Sequence, residues 1–69
     1  MEALQISLAA ARVNAKLTQE DVSRILHVNK KTVGDWENGK VIPSFIALFA
    51  LSNLYGIPID NIILPEKST

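Results

Sequence analysis

Apolar residues recur along this chain at helical spacing, in blocks separated by short polar or glycine-containing breaks. Leu4, Leu8, Ala11 and Ala15 share one face of a first predicted helix, roughly Ala3 to Ala15. A second is predicted from Thr18 to Leu26, with Val22, Ile25 and Leu26 as its apolar stripe. Thr18 is a good N-cap, and Asp21 three residues on is a near-match to a capping box, with Asp in place of Glu. A third runs from Asn29, its expected cap, to Asn38, and Gly39 can take the left-handed conformation that closes it. A fourth is expected from Ser44 to Tyr55, capped by Ser44 after Pro43 and ended by Gly56. Pro58 is tolerated at the start of a short fifth helix, Ile59 to Ile63, and Pro65 prevents its continuation. No strand is predicted. The expectation is an all-α fold of five helices, a single domain over residues 1–69 with its core in 3–64, and Glu66 to Thr69 as a frayed tail.

The second and third helices, residues 18–38, are joined by so short a connection that they must cross steeply, as a helix-turn-helix. Thr18-Gln19-Glu20 opens this segment and Trp36-Glu37-Asn38-Gly39-Lys40 closes it, with Pro43-Ser44 and Tyr55-Gly56-Ile57 following in register. On these residues the chain resembles the Cro and lambda-repressor-like family, also called the xenobiotic-response-element family, from about Leu8 to Ile62. The resemblance implies a five-helix DNA-binding domain. It also implies that Gln19 contacts the DNA backbone and buttresses the third helix, and that Arg12 and Glu37 form a structural ion pair. Two positions depart from the family pattern. His27 stands where a left-handed Gly is usual, a conformation His adopts more readily than most residues. Ser23 replaces a small Ala, and its hydroxyl is expected to bond back to the i−4 carbonyl.

Helical geometry alone sorts the third helix. Val33 and Trp36 point one way, while Lys31, Gly34, Asp35 and Asn38 centre on the other and Lys30 sits at the rim. With the first face packed inward, the second is available to a DNA major groove. Lys30 and Lys31 are candidate donors to guanine O6 and N7, and Asp35 a candidate acceptor from cytosine N4. Gly34 offers no side chain, at a helix-propensity cost of about 1 kcal/mol; either it lets the backbone approach the groove closely, or it has drifted at a position where other residues carry the readout. Gln19, Asn29, Asn38 and Lys40 are the phosphate candidates, the two asparagines having capping roles as well. The plainer alternative is an ordinary solvated helix face, and Arg24 is as readily explained that way.

Composition narrows the function classes. Formal net charge is zero, so any affinity for nucleic acid rests on how charge is distributed. Lys16, Arg24, Lys30, Lys31 and Lys40 lie in or beside the motif, against Glu20, Asp21, Asp35 and Glu37, which predicts a modest positive patch. The absence of cysteine excludes disulfides and thiolate metal sites, and His27 alone makes no zinc site. No nucleophile–base pair or phosphate loop is visible, so neither an enzyme nor a cofactor is expected. The longest apolar run, Phe45 to Leu51, is far shorter than the ~20 residues a membrane span needs, and a cytoplasmic protein is expected.

The fourth helix departs most from a monomer's pattern. Phe45, Leu48, Leu51, Ser52 and Tyr55 are expected to face the core. Ile46, Phe49, Ala50 and Leu54 form a second apolar stripe, with Ile63 and Leu64 close behind in sequence. An apolar patch of that kind marks a contact surface, so these six residues are the expected interface of a homodimer. The resulting expectation is a transcriptional regulator of the phage or mobile-element repressor type, binding double-stranded DNA as a dimer on a near-palindromic operator. The rival from another class is a protein-interaction module or antitoxin that uses the fourth helix as its partner surface.

Overall fold

The computed structural model describes residues 5–65, and the chemistry of the helix ends accounts for where its elements begin and stop. A two-residue strand β1 (Ile6–Ser7) leads into helices α1 (Leu8–Asn14), α2 (Gln19–Leu26), α3 (Lys30–Asn38) and α4 (Phe45–Tyr55). A 3-10 turn over Ile59–Asn61 and a second strand, β2 (Ile62–Ile63), complete the described chain. Thr18 and Asp21 form a reciprocal capping box: the Asp21 amide donates to Thr18 Oγ1 at 3.0 Å and the Thr18 amide to Asp21 Oδ2 at 2.9 Å. Ser44 caps α4 in the same sense, its hydroxyl accepting from the Ala47 amide at 3.1 Å.

Two ends of the chain differ from the all-helical expectation. The first helix starts at Leu8 rather than Ala3, because the Ser7 hydroxyl accepts the Ala10 amide and makes Ser7 the cap. Ala3 and Leu4 lie outside the described residues. The expected fifth helix is a single 3-10 turn followed by extended backbone, since Ile62 and Ile63 are β-branched and find a partner strand. They pair in parallel with β1, Ile6 opposite Ile62 and Ser7 opposite Ile63. The described chain is therefore four α-helices, with its two ends tied together by a minimal parallel ladder.

The core gathers Leu8 and Ala11 from α1, Val22 from α2, Val33 and Trp36 from α3, and Leu51 and Tyr55 from α4. Leu17, Val28, Leu48 and Ile57 pack around it. Ile25 is a correction to the α2 stripe. It stands exposed on the outer side of that helix, while Val22 is fully buried and Leu26 half-buried. No helix among the described residues is long and apolar enough to cross a membrane.

α4 is apolar on all sides, so its sequence does not say which face is inward. Leu48, Leu51, Ser52 and Tyr55 do face the core, but Phe45 does not: it is 72% exposed. Its ring lies against Phe49, centroids 6.4 Å apart, and the outer face of α4 is formed by Phe45, Ile46 and Phe49. Of the six residues expected at an interface, Ile46, Phe49 and Ile63 are exposed and Ala50 is half-buried. Leu54 and Leu64 pack against the core instead. Leu54 is one residue from Tyr55 and only three from Leu51, so the helical step carries it to the shoulder of the inner face.

Candidate nucleic-acid interface

The turn that separates α2 from α3 is His27, Val28 and Asn29. His27 takes the left-handed conformation (φ 59°, ψ 44°), and the Val28 amide donates to the Ser23 carbonyl at 3.0 Å. The His27 amide returns to the same Ser23 carbonyl, so the chain turns sharply there, while Val28 packs on the core and anchors the corner. Asn29 occupies the N-cap position of α3, but its carboxamide makes no capping bond, contrary to the role expected for it. Ser23 Oγ donates to the i−3 carbonyl of Glu20 at 2.7 Å rather than to the i−4 carbonyl.

With Val33 and Trp36 buried, α3 turns Lys31 and Asn38 fully outward and Gly34 and Asp35 to its flanks. Gly39 closes the helix at φ 81°, and the Lys40 amide donates to the Asp35 carbonyl at 3.0 Å, which carries Lys40 just past the C-terminal end. Lys30 at one end and Lys40 at the other are both exposed.

Arg12 and Glu37 are brought together across the core boundary. Arg12 Nε donates to Glu37 Oε2 at 2.7 Å and Nη2 to Oε1 at 3.2 Å, a two-pronged contact in which the Glu37 side chain is only 6% exposed. The third prong of the guanidinium, Nη1, donates to the Leu17 carbonyl at 2.9 Å and so also closes the α1–α2 turn, where Lys16 is left-handed at φ 63°. Hydrogen bonding to Glu37 raises the Arg12 pKa further above its usual value, against the opposing effect of burial. Gln19 joins the same carboxylate, donating from Nε2 to Glu37 Oε1 at 2.9 Å. α1, α2 and α3 thus meet at one buried anion. Burial, reinforced by the nearby Glu37 charge, pushes the Tyr55 phenol up to about 12, so it stays neutral in this cluster.

On the surface, the motif's remaining carboxylates are each held by a cation. Arg24 reaches Asp21 at 2.8 Å and Glu20 at 3.6 Å, and Lys31 reaches Asp35 at 2.9 Å. The Asp21 carboxyl is held below the usual carboxylate range, chiefly by its hydrogen bonds from Thr18, with Arg24 a smaller influence. Both pairings have a signal in the sequence, since Glu20 and Arg24, like Lys31 and Asp35, stand four apart on one helix. Among the described residues, Lys16, Lys30 and Lys40 are the cations without a carboxylate partner. A chain of zero net charge therefore leaves unpaired positive charge in and beside its helix-turn-helix.

The sequence profile of the helix-turn-helix family matches residues 8–62. The HTH-type transcriptional activator BcrR of Enterococcus faecalis is 30% identical over 60 residues, covering 87% of this chain and 29% of that protein. An uncharacterised HTH-type transcriptional regulator of Methanocaldococcus jannaschii is 36% identical over 50 residues, covering 72% of this chain and 76% of its own length. This chain thus spans less than a third of the Enterococcus protein but most of the archaeal one. No solved structure matches it significantly.

Proposed function

We propose that this chain, which belongs to the helix-turn-helix family, is a sequence-specific transcriptional regulator that lays α3 in the DNA major groove and acts as a dimeric repressor. The observation that carries the reading is the charge arrangement. Every carboxylate of the motif has a cation beside it, Glu20 and Asp21 sharing Arg24, whereas Lys16, Lys30 and Lys40 have no carboxylate partner among the described residues and are left for phosphate or base. Lys40, Asn29 and Asn38 bracket α3 and serve as backbone contacts that fix its register; Lys30, Lys31 and Asp35 read base edges. The Lys31–Asp35 pair does not obstruct this. Exposed pairs of this kind are worth at most about 1 kcal/mol, less than the ~1–3 kcal/mol of a good base contact. Occlusion of a near-palindromic operator by two copies joined through the outer face of α4 is the proposed mode of repression. The Enterococcus relative is named an activator, so the sign of regulation is an outcome to be measured.

One observation favours a second reading. Phe45, Ile46 and Phe49 stand 72%, 81% and 53% exposed, a surface suited to a protein partner, as in an interaction module or antitoxin. Binding to a selected DNA pool at two salt concentrations separates the readings. A regulator loses affinity with a log–log slope of about −0.9 per phosphate neutralised. Lys40→Ala is expected to weaken all sequences alike and reduce that slope by about one, whereas Lys31→Ala relaxes selectivity at one base position. Absence of DNA binding down to low salt selects the interaction module.

A further inference from the structure

Gly34 lies on the flank of α3 that the proposed reading turns toward DNA, and it has no side chain with which to read. The space above it is nevertheless occupied. A β-carbon built on Gly34 lies 3.7 Å from Nε2 and 3.9 Å from Oε1 of Gln19, so the carboxamide of an α2 side chain covers α3 at that point. The orientation of this amide is set from behind. Its Nε2 donates to Glu37 Oε1 at 2.9 Å, and Glu37 is an anion held by Arg12, which accepts a proton donor and repels the amide oxygen. Among the described residues the amide oxygen and the second N–H have no hydrogen-bond partner, and much of the side chain's rotamer freedom is already lost on folding.

A donor and an acceptor side by side on one planar group match the N7 acceptor and N6 donor that adenine presents in the major groove. A phosphate, the partner that the family resemblance assigns to Gln19, is an acceptor only; it takes the N–H and leaves the amide oxygen facing an anion. We infer that Gln19, reaching across Gly34, is a base-reading residue that selects adenine at the operator position where α3 itself offers no side chain. This rests on the reading of the chain as a DNA-binding regulator.

Selection of bound sequences from a random duplex pool tests it, using the intact chain and Gln19→Met, which keeps an unbranched side chain but removes the amide. The wild type is expected to enrich sites with one A·T pair fixed in each half-site. Gln19→Met loses that preference alone, a change of roughly 5- to 150-fold in affinity for the preferred over the exchanged pair. Replacing that adenine by 7-deazaadenine, which lacks the N7 acceptor, weakens the wild-type chain and needs no variant to fold. An unchanged consensus, a uniform loss across all sequences, or indifference to 7-deazaadenine overturns the assignment while leaving DNA recognition intact. A wild-type chain that enriches no sequence overturns both.

Discussion

At the scale of single residues, the Arg12–Glu37 contact has the largest consequences. The glutamate is almost wholly buried, receives two bonds from Arg12 and one from Gln19, and sits on the helix proposed to read DNA. Removing one partner of such a pair leaves an uncompensated buried charge, at a cost of about 3–5 kcal/mol. Domains of this size have only a few kcal/mol more than that in total. Arg12→Ala is therefore expected to keep only the smaller part of the wild-type stability, with a sharply lowered urea midpoint, and adding Glu37→Gln to it should restore part of the loss by removing the stranded charge. Urea denaturation followed by circular dichroism measures both; a midpoint unchanged by Arg12→Ala refutes the account. The pairing of residues so far apart in the chain was accessible only through resemblance to a family. Composition and periodicity show that a buried carboxylate needs a partner, not which of the chain's cations supplies it.

At the scale of elements, α2, α3 and α4 end in the same way. Each is followed by a residue in the left-handed conformation, His27 at φ 59°, Gly39 at 81° and Gly56 at 70°, whose amide returns to the last turn. Two of the three are glycines, and His27 bears the steric cost of a side chain in that conformation, roughly 1–2 kcal/mol, partly offset by the smaller entropy loss of a non-glycine residue. His27 is exposed, and among the described residues its side chain makes no hydrogen bond to offset that cost. His27→Gly is expected to raise stability by about 0.5–1 kcal/mol, a gain of a few degrees in thermal midpoint. A lower midpoint would show that the imidazole supports the turn. These helix ends were legible in the sequence because capping is local: Thr18, Ser44, Gly39 and Gly56 act within a few residues of where they stand. The chain's outer segments were not, because β1 and β2 exist only through each other, and Ile6 cannot announce a partner at Ile62. In α4 periodicity has nothing to discriminate: one apolar stripe resembles another, and the pattern that points Phe45 inward fits its exposed position equally well.

At the scale of the whole molecule, the described chain measures about 37 × 30 × 20 Å. Two such bodies abutting side by side have centres about 20 to 37 Å apart, according to the axis along which they meet, a range that includes the ~34 Å between half-sites one DNA turn apart. The proposed junction is the outer face of α4, narrower than the sequence pattern suggested: Phe45, Ile46 and Phe49, with Ile63 as a further exposed residue, and without Leu54 and Leu64. Phe45 and Phe49 already lie ring against ring, so little side-chain freedom remains to be lost on association. Phe49→Lys places a charge at the centre of that face while leaving the core untouched, so helix content and thermal stability should change little. In sedimentation at tens of micromolar, the wild-type chain is expected at twice its chain mass and Phe49→Lys at its own. Affinity for a two-half-site duplex should then fall far more than affinity for a single half-site, because linked binding at the second site is lost while each α3 is intact. A wild-type monomer at that concentration removes the dimer from the mechanism. The exposed aromatic pair would then belong to a different partner.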